Sequence, residues 1–129
     1  WFRFDPALIE DFLAALPADT AAAQTIARRR DARMRGRTRL AIDAVRPMRH
    51  ALEVRHASFV DPRFIALLRR HRVALVVADT GGRWPELFDA TADFVYLRLH
   101  GATELYKSRY DDIALARWAG RLRAWRDGE

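Results

Sequence analysis

At 129 residues, half of them apolar, the chain has the size of one domain and can bury roughly 65–70% of its unfolded surface in a single core. It has no cysteine, which excludes disulfides and thiolate chemistry, and no apolar run approaches the ~18 residues that cross a bilayer, so it reads as soluble and cytoplasmic. The net charge of +6 is concentrated: residues 28–39 hold Arg28, Arg29, Arg30, Arg33, Arg35, Arg37 and Arg39 against Asp31 alone, and the remainder is neutral.

The first residue is Trp1 rather than Met, which points to processing or to an excerpt of a longer chain. Asp5-Pro6 is a good N-cap followed by proline at the first helical position, and Leu8, Ile9, Phe12, Leu13 and Leu16 repeat at helical spacing up to Pro17. Asp19 or Thr20 caps a second, alanine-rich helix, expected to run through Ile26 towards Met34, where Gly36 opposes continuation. Residues 37–50 are compatible with a strand, a helical turn or a loop. From His50 the alternation Ala51-Leu52-Glu53-Val54-Arg55-His56 predicts a strand, and Ser58-Phe59-Val60-Asp61-Pro62 starts a helix whose apolar face is Phe64, Ile65, Leu67 and Leu68.

Val73-Ala74-Leu75-Val76-Val77-Ala78 is an unbroken apolar run ending in Asp79, the pattern of a strand covered on both faces. Gly81 to Pro85 is a loop, with at most a short helical turn around residues 86–88. Asp93 to Gly101 is a third strand, with Val95, Leu97 and Leu99 on one face and Tyr96, Arg98 and His100 on the other. Asp111 or Asp112 caps a last helix with a stripe of Leu115, Trp118, Ala119, Leu122 and Trp125. Strands separated by helices predict an α/β fold with a parallel sheet and right-handed crossovers.

In such folds ligands sit beyond the carboxyl ends of the strands. Glu53, Arg55 and His56 lie at the end of the first strand, Asp79 ends the second, and Tyr96, Arg98 and His100 end the third. A charge inside a strand whose other face packs on helices must look towards a lumen, so Glu53, Arg55, Tyr96 and Arg98 are expected to converge. Glu53 then offsets Arg55 or Arg98 through paired hydrogen bonds, either as a structural layer or as part of a site. Two guanidiniums at the mouth suit a phosphate or carboxylate. His100 is the candidate acid or base and Asp79 its orienting partner or an independent base. Trp84 is a candidate lid and Lys107 a candidate anion contact, with packing and plain solvation as the respective alternatives. His56, Asp79, His100 and Glu53 carry metal-ligating atoms, but they lack His-x-x-x-His spacing and lie among arginines, so no metal is expected. Nothing in the residues names a cofactor, and there is no nucleophile elbow, phosphate loop or dinucleotide fingerprint.

Leu52-Glu53-Val54-Arg55-His56-x-Ser58-Phe59, Val73-Ala74-Leu75-Val76-x-Ala78-Asp79 and Thr91-Ala92-Asp93-Phe94-Val95-Tyr96-Leu97-Arg98-Leu99-His100-Gly101 resemble the YecE-like proteins (domain of unknown function 72). The resemblance is dense over residues 50–126. It implies a TIM-type (β/α)8 barrel about twice this length, of which residues 1–129 would be one domain, the C-terminal part, without the early strands, their glycine-tryptophan motif or the closing strand. It gives weight to Glu53, Arg55, His56, Asp79, Arg98 and His100 and supplies no reaction.

Three functions compete. The first is an enzyme-like barrel that binds a small anionic ligand through Arg55 and Arg98. The second is a nucleic-acid or polyanion binder using Arg28 to Arg39, which lacks the interleaved aromatics of a single-strand platform. The third is a non-catalytic interaction protein. No membrane partner is expected, and self-association is expected if the piece exists alone, because a partial barrel leaves strand edges unpaired.

Overall fold

The computed structural model describes residues 2–101 and 109–128. Four helices and three strands follow one another as α1 (Pro6–Ala14), α2 (Thr20–Arg28), β1 (Ala51–Leu52), α3 (Pro62–His71), β2 (Ala74–Asp79), β3 (Tyr96–Leu99) and α4 (Asp112–Arg126). The strands form one parallel sheet in the order β1-β2-β3. The chain is therefore α/β, with α3 as the crossover from β1 to β2.

All four helices begin with the same device. The side chains of Asp5, Asp19, Asp61 and Asp111 accept hydrogen bonds from N–H groups of the first turn, groups that have no partner inside the helix. Pro6 and Pro62 follow two of these caps, where a missing N–H costs nothing. α3 ends on Arg72 in the left-handed conformation, φ 54°, and this reversal leads directly into β2.

The core lies between the helical pair α1/α3 and one face of the sheet. Phe64 and Leu68 of α3 are fully buried, as are Leu75 and Val77 of β2. Phe4, Phe59 and Phe64 form a three-ring cluster with centroids 5.0–5.6 Å apart, in the tilted and edge-on arrangements that aromatic quadrupoles favour. Glu10 of α1 ties this pair together from outside, through Arg70 and at 2.7 Å through His71. Every residue of β2 is buried, as expected for a strand with neighbours on both edges and cover on both faces.

Several elements are shorter than the pattern suggests. α2 stops at Arg28, and Asp31 opens a separate 3-10 turn, Ala32–Met34, by accepting the Arg33 N–H at 2.8 Å. Aspartate competes for backbone donors in this way wherever helix propensity is weak. Only Ala51 and Leu52 of the predicted first strand pair with β2. Beyond them His56 caps a 3-10 turn, Ala57–Phe59, so Ser58 and Phe59 precede α3 rather than belonging to it. No helical turn forms at residues 86–88. Residues 37–50 carry no regular element; they run back along α2, with Asp19 and Pro47 making an isolated antiparallel bridge. In α4 only Trp118 of the expected stripe is buried, while Leu115 and Leu122 are each 49% exposed.

The stretch leading into β3 is pinned by one buried side chain. Thr91 Oγ1 donates to the Val73 carbonyl at 2.7 Å and accepts the Leu75 N–H at 2.8 Å. It thereby completes the outer hydrogen bonds at the start of β2.

Candidate functional site

Register decides which side chains meet. β2 pairs with β3 from Val76↔Tyr96 to Asp79↔Leu99, and with β1 through Ala51↔Ala74 and Leu52↔Leu75. Paired residues of parallel strands face the same side. Ala51, Ala74, Val76, Ala78, Tyr96 and Arg98 therefore share one face, and Leu52, Leu75, Val77, Asp79, Leu97 and Leu99 share the other.

On the first face a single carboxylate joins two strands. Glu53 Oε1 accepts Arg55 Nε at 2.7 Å, and Glu53 Oε2 accepts Arg98 Nη1. Partial burial pushes the Glu53 carboxyl up, but the hydrogen bonds and charges of Arg55 and Arg98 outweigh it, and the group titrates below the usual glutamate range. The Glu53 side chain is 14% exposed, against 39% for Arg55 and 37% for Arg98. The acid is thus the inner member and the guanidiniums the outer ones. Arg55 also lies over the indole of Trp84, 4.7 Å from the ring centre, within cation–π range. The candidate lid aromatic, for which packing was the alternative, thus packs on one arginine.

Beside the triad is an open cavity of about 550 Å³, floored by Ala51 and Val76 and walled by Arg49, Glu53, Phe94, Tyr96 and Arg98. Arg49 stands 4.6 Å from the centre of the Phe94 ring. Neither residue was among the sequence candidates, although a signal for both exists: Arg49 continues the spacing of Ala51, Glu53 and Arg55 backwards, and Phe94 that of Tyr96 and Arg98. Tyr96, half exposed, forms the wall between them.

The other candidates lie elsewhere. Asp79, the candidate orienting partner of His100 or independent base, is on the face opposite Arg98. It is buried, accepts Trp118 Nε1 of α4 at 3.2 Å through Oδ2, and takes the Gly81 N–H at 3.3 Å through Oδ1. Tyr110 adjoins it: burial raises the phenol above its ordinary range, and the neighbouring Asp79 carboxylate acts in the same direction. Tyr110 Oη also accepts the Gly101 N–H at 3.1 Å. His100 is buried, and its backbone N–H donates to the Asp79 carbonyl at 3.0 Å, extending the β2–β3 ladder by one residue. The link between Asp79 and His100 along this ladder is through the backbone.

His56 is committed to local structure: its Nδ1 accepts the Ser58 N–H at 3.1 Å and lies 2.9 Å from Ser58 Oγ. Ser58 Oγ in turn accepts the Phe4 N–H at 2.8 Å. Lys107 lies outside the described residues. Among the described residues no group of three or more His, Asp or Glu side chains is arranged to hold a metal ion, and no helix is long and apolar enough to cross a membrane.

Arg55 and Arg98 flank Glu53, Arg49 and Arg98 line the cavity, and a guanidinium carries five N–H donors. Comparison of the chain with curated proteins and with solved structures finds no match. The family model for proteins of unknown function DUF72 matches residues 1–129 throughout, and the chain belongs to that family.

Proposed function

We propose that the three parallel strands are part of a TIM-type barrel and that their polar face binds a small anion bearing a phosphate or carboxylate group. The observation that carries this reading is the imbalance around Glu53. Arg55 and Arg98 each give it one hydrogen bond, both remain more than a third exposed, and Arg49 adds a third positive charge at the cavity wall. An anion entering there would meet Arg98, already oriented by Glu53, beside Arg49, with Arg55 held by the other oxygen of the same carboxylate, a preorganisation that reduces the cost of binding. Where the bound anion is processed, proton transfer is assigned to His100, one alternation beyond Arg98, with Asp79 holding the strand end from the other side. A catalytically silent barrel would also keep the Glu53 pairs; the open cavity beside them favours a binder.

Calorimetric titration with inorganic phosphate and with small phosphorylated and carboxylated compounds tests the reading. Arg98→Ala and Arg55→Ala should each weaken binding by about tenfold or more, the scale of a lost charge-assisted hydrogen bond. Far-ultraviolet circular dichroism should show both variants folded. Equal affinity in parent and variants, or no binding of any of these anions by the parent, would overturn it.

A further inference from the structure

The densest charge on the molecule is not at this cavity but on the segment that follows α2. All seven arginines between residues 28 and 39 are exposed. Among the described residues only Arg33 has an acidic partner, Asp31 at 3.3 Å. Arg28, Arg29, Arg30, Arg35, Arg37 and Arg39 make no ion pair with any described residue.

Cations at the C-terminal end of a helix complement its dipole, and this accounts for Arg28, Arg29 and Arg30. It does not account for Arg35, Arg37 and Arg39, which lie beyond the 3-10 turn. Nor is the segment a loose tail. Gln24 Nε2 donates to the Leu40 carbonyl at 2.6 Å, Thr20 Oγ1 to the Ala44 carbonyl at 2.9 Å, and the Thr20 N–H to the Arg46 carbonyl at 3.0 Å. These bonds fold the chain back along α2 and close residues 29–39 into a basic ridge whose backbone is ordered before any partner binds.

We infer that this ridge is a docking surface for the phosphate backbone of duplex nucleic acid. Unpaired guanidiniums match phosphate geometry with two parallel donors, and a backbone contact requires no base recognition. Two absences on the ridge select this partner. No aromatic residue occurs between Thr20 and Arg46, so unstacked bases of a single strand would find no platform. The exposed large apolar residues of the same stretch are Ile26, Met34, Ile42 and Val45, with none of the exposed Trp, Phe or Leu that seat a basic segment in a lipid surface.

The test is fluorescence anisotropy of the full chain with a labelled mixed-sequence duplex of about 20 base pairs, in parallel with a single strand of equal length and with phosphatidylglycerol vesicles. Contact with about four phosphates predicts affinity roughly 100-fold weaker at about 200 mM salt than at about 50 mM. The triple variant Arg30→Gln, Arg35→Gln, Arg37→Gln alters exposed, unpaired side chains and should reduce the salt slope by about 2 to 3. Four results would each overturn the inference: no duplex binding at about 50 mM salt, a triple variant with the parent's slope, tighter binding of the single strand, or capture by vesicles without capture by duplex.

Discussion

Asp79 and Trp118 meet across the junction of sheet and last helix, the indole N–H donating to the carboxylate at 3.2 Å in a buried setting. This contact makes Asp79 the anchor of α4, whose other large apolar side chains are largely half exposed. Asp79→Ala should cost about 2–3 kcal/mol, because it strands the indole donor and the Gly81 N–H; Asp79→Asn, which keeps an acceptor, should cost about 1 kcal/mol. Urea denaturation followed by tryptophan fluorescence measures both, and an Asp79→Ala loss below about 0.5 kcal/mol would remove the anchoring role.

Glu53 sets a pH dependence with a definite sign. Its folded-state titration lies below the usual range, so the stabilisation is present above the ordinary glutamate value of ~4.3 and disappears as pH falls through the lowered one. Because the guanidiniums are more than a third exposed, solvent screens the pair and limits the effect to about 1 kcal/mol. Comparing the parent with Glu53→Gln from neutral pH down to the acid limb should show two curves that converge at the lowest pH. Curves that stay parallel would contradict the pairing.

The same substitution separates the roles of Glu53 in structure and in binding. Glu53→Gln removes the competing negative charge while retaining a hydrogen-bond acceptor for Arg55 or Arg98. Inorganic phosphate should bind it severalfold more tightly than the parent, by about 1 kcal/mol. Weaker binding by a folded Glu53→Gln protein would mean that the carboxylate orients the guanidiniums more than it competes for them.

Thr91 offers a test remote from any ligand. Thr91→Val nearly preserves shape but leaves the Leu75 N–H and Val73 carbonyl without their partner, an expected loss of about 2 kcal/mol. The midpoint of chemical denaturation should fall with no change in slope. An unchanged midpoint would show that neither group is effectively desolvated.

The parts of the fold readable from the residues were those dictated by local chemistry or by uniform burial. Asp5-Pro6 and Asp61-Pro62 announce helix starts because the cap needs only nearby donors, and residues 73–78 announce a doubly covered strand because no polar group interrupts them. The parallel sheet and the family were legible too, as was the partnership of Glu53 with Arg55 and Arg98, since an acid inside a strand has few other ways to be offset. Alternation was less informative where pairing fails: it continues from Ala51 to His56, yet the ladder stops at Leu52, because hydrogen bonding depends on a partner strand and not on the chain's own pattern. His56, placed at a strand tip by the same alternation, is a cap for the following turn. The face taken by Asp79 was not legible, because a strand buried on both sides gives no clue to which parity faces the helices; only the pairing with Leu99 fixes it. Arg49 was missed because its strand-like spacing lies before the segment that alternates visibly.

Thr91 is also the point from which positions on β3 are counted. It fastens the chain to both sides of Ala74 at the start of β2, and the intervening residues then deliver Tyr96 opposite Val76. Parity does the rest: Arg98 goes to the cavity side and Leu97 and Leu99 to the helix side. Adding or removing one residue between Thr91 and Tyr96 would leave the composition of the strand almost unchanged while exchanging its two faces. The guanidinium would then take the side that Leu97 and Leu99 now occupy and the leucines the cavity side. The spacing between a threonine and a tyrosine, neither of them charged, thus sets which side of the sheet is electropositive.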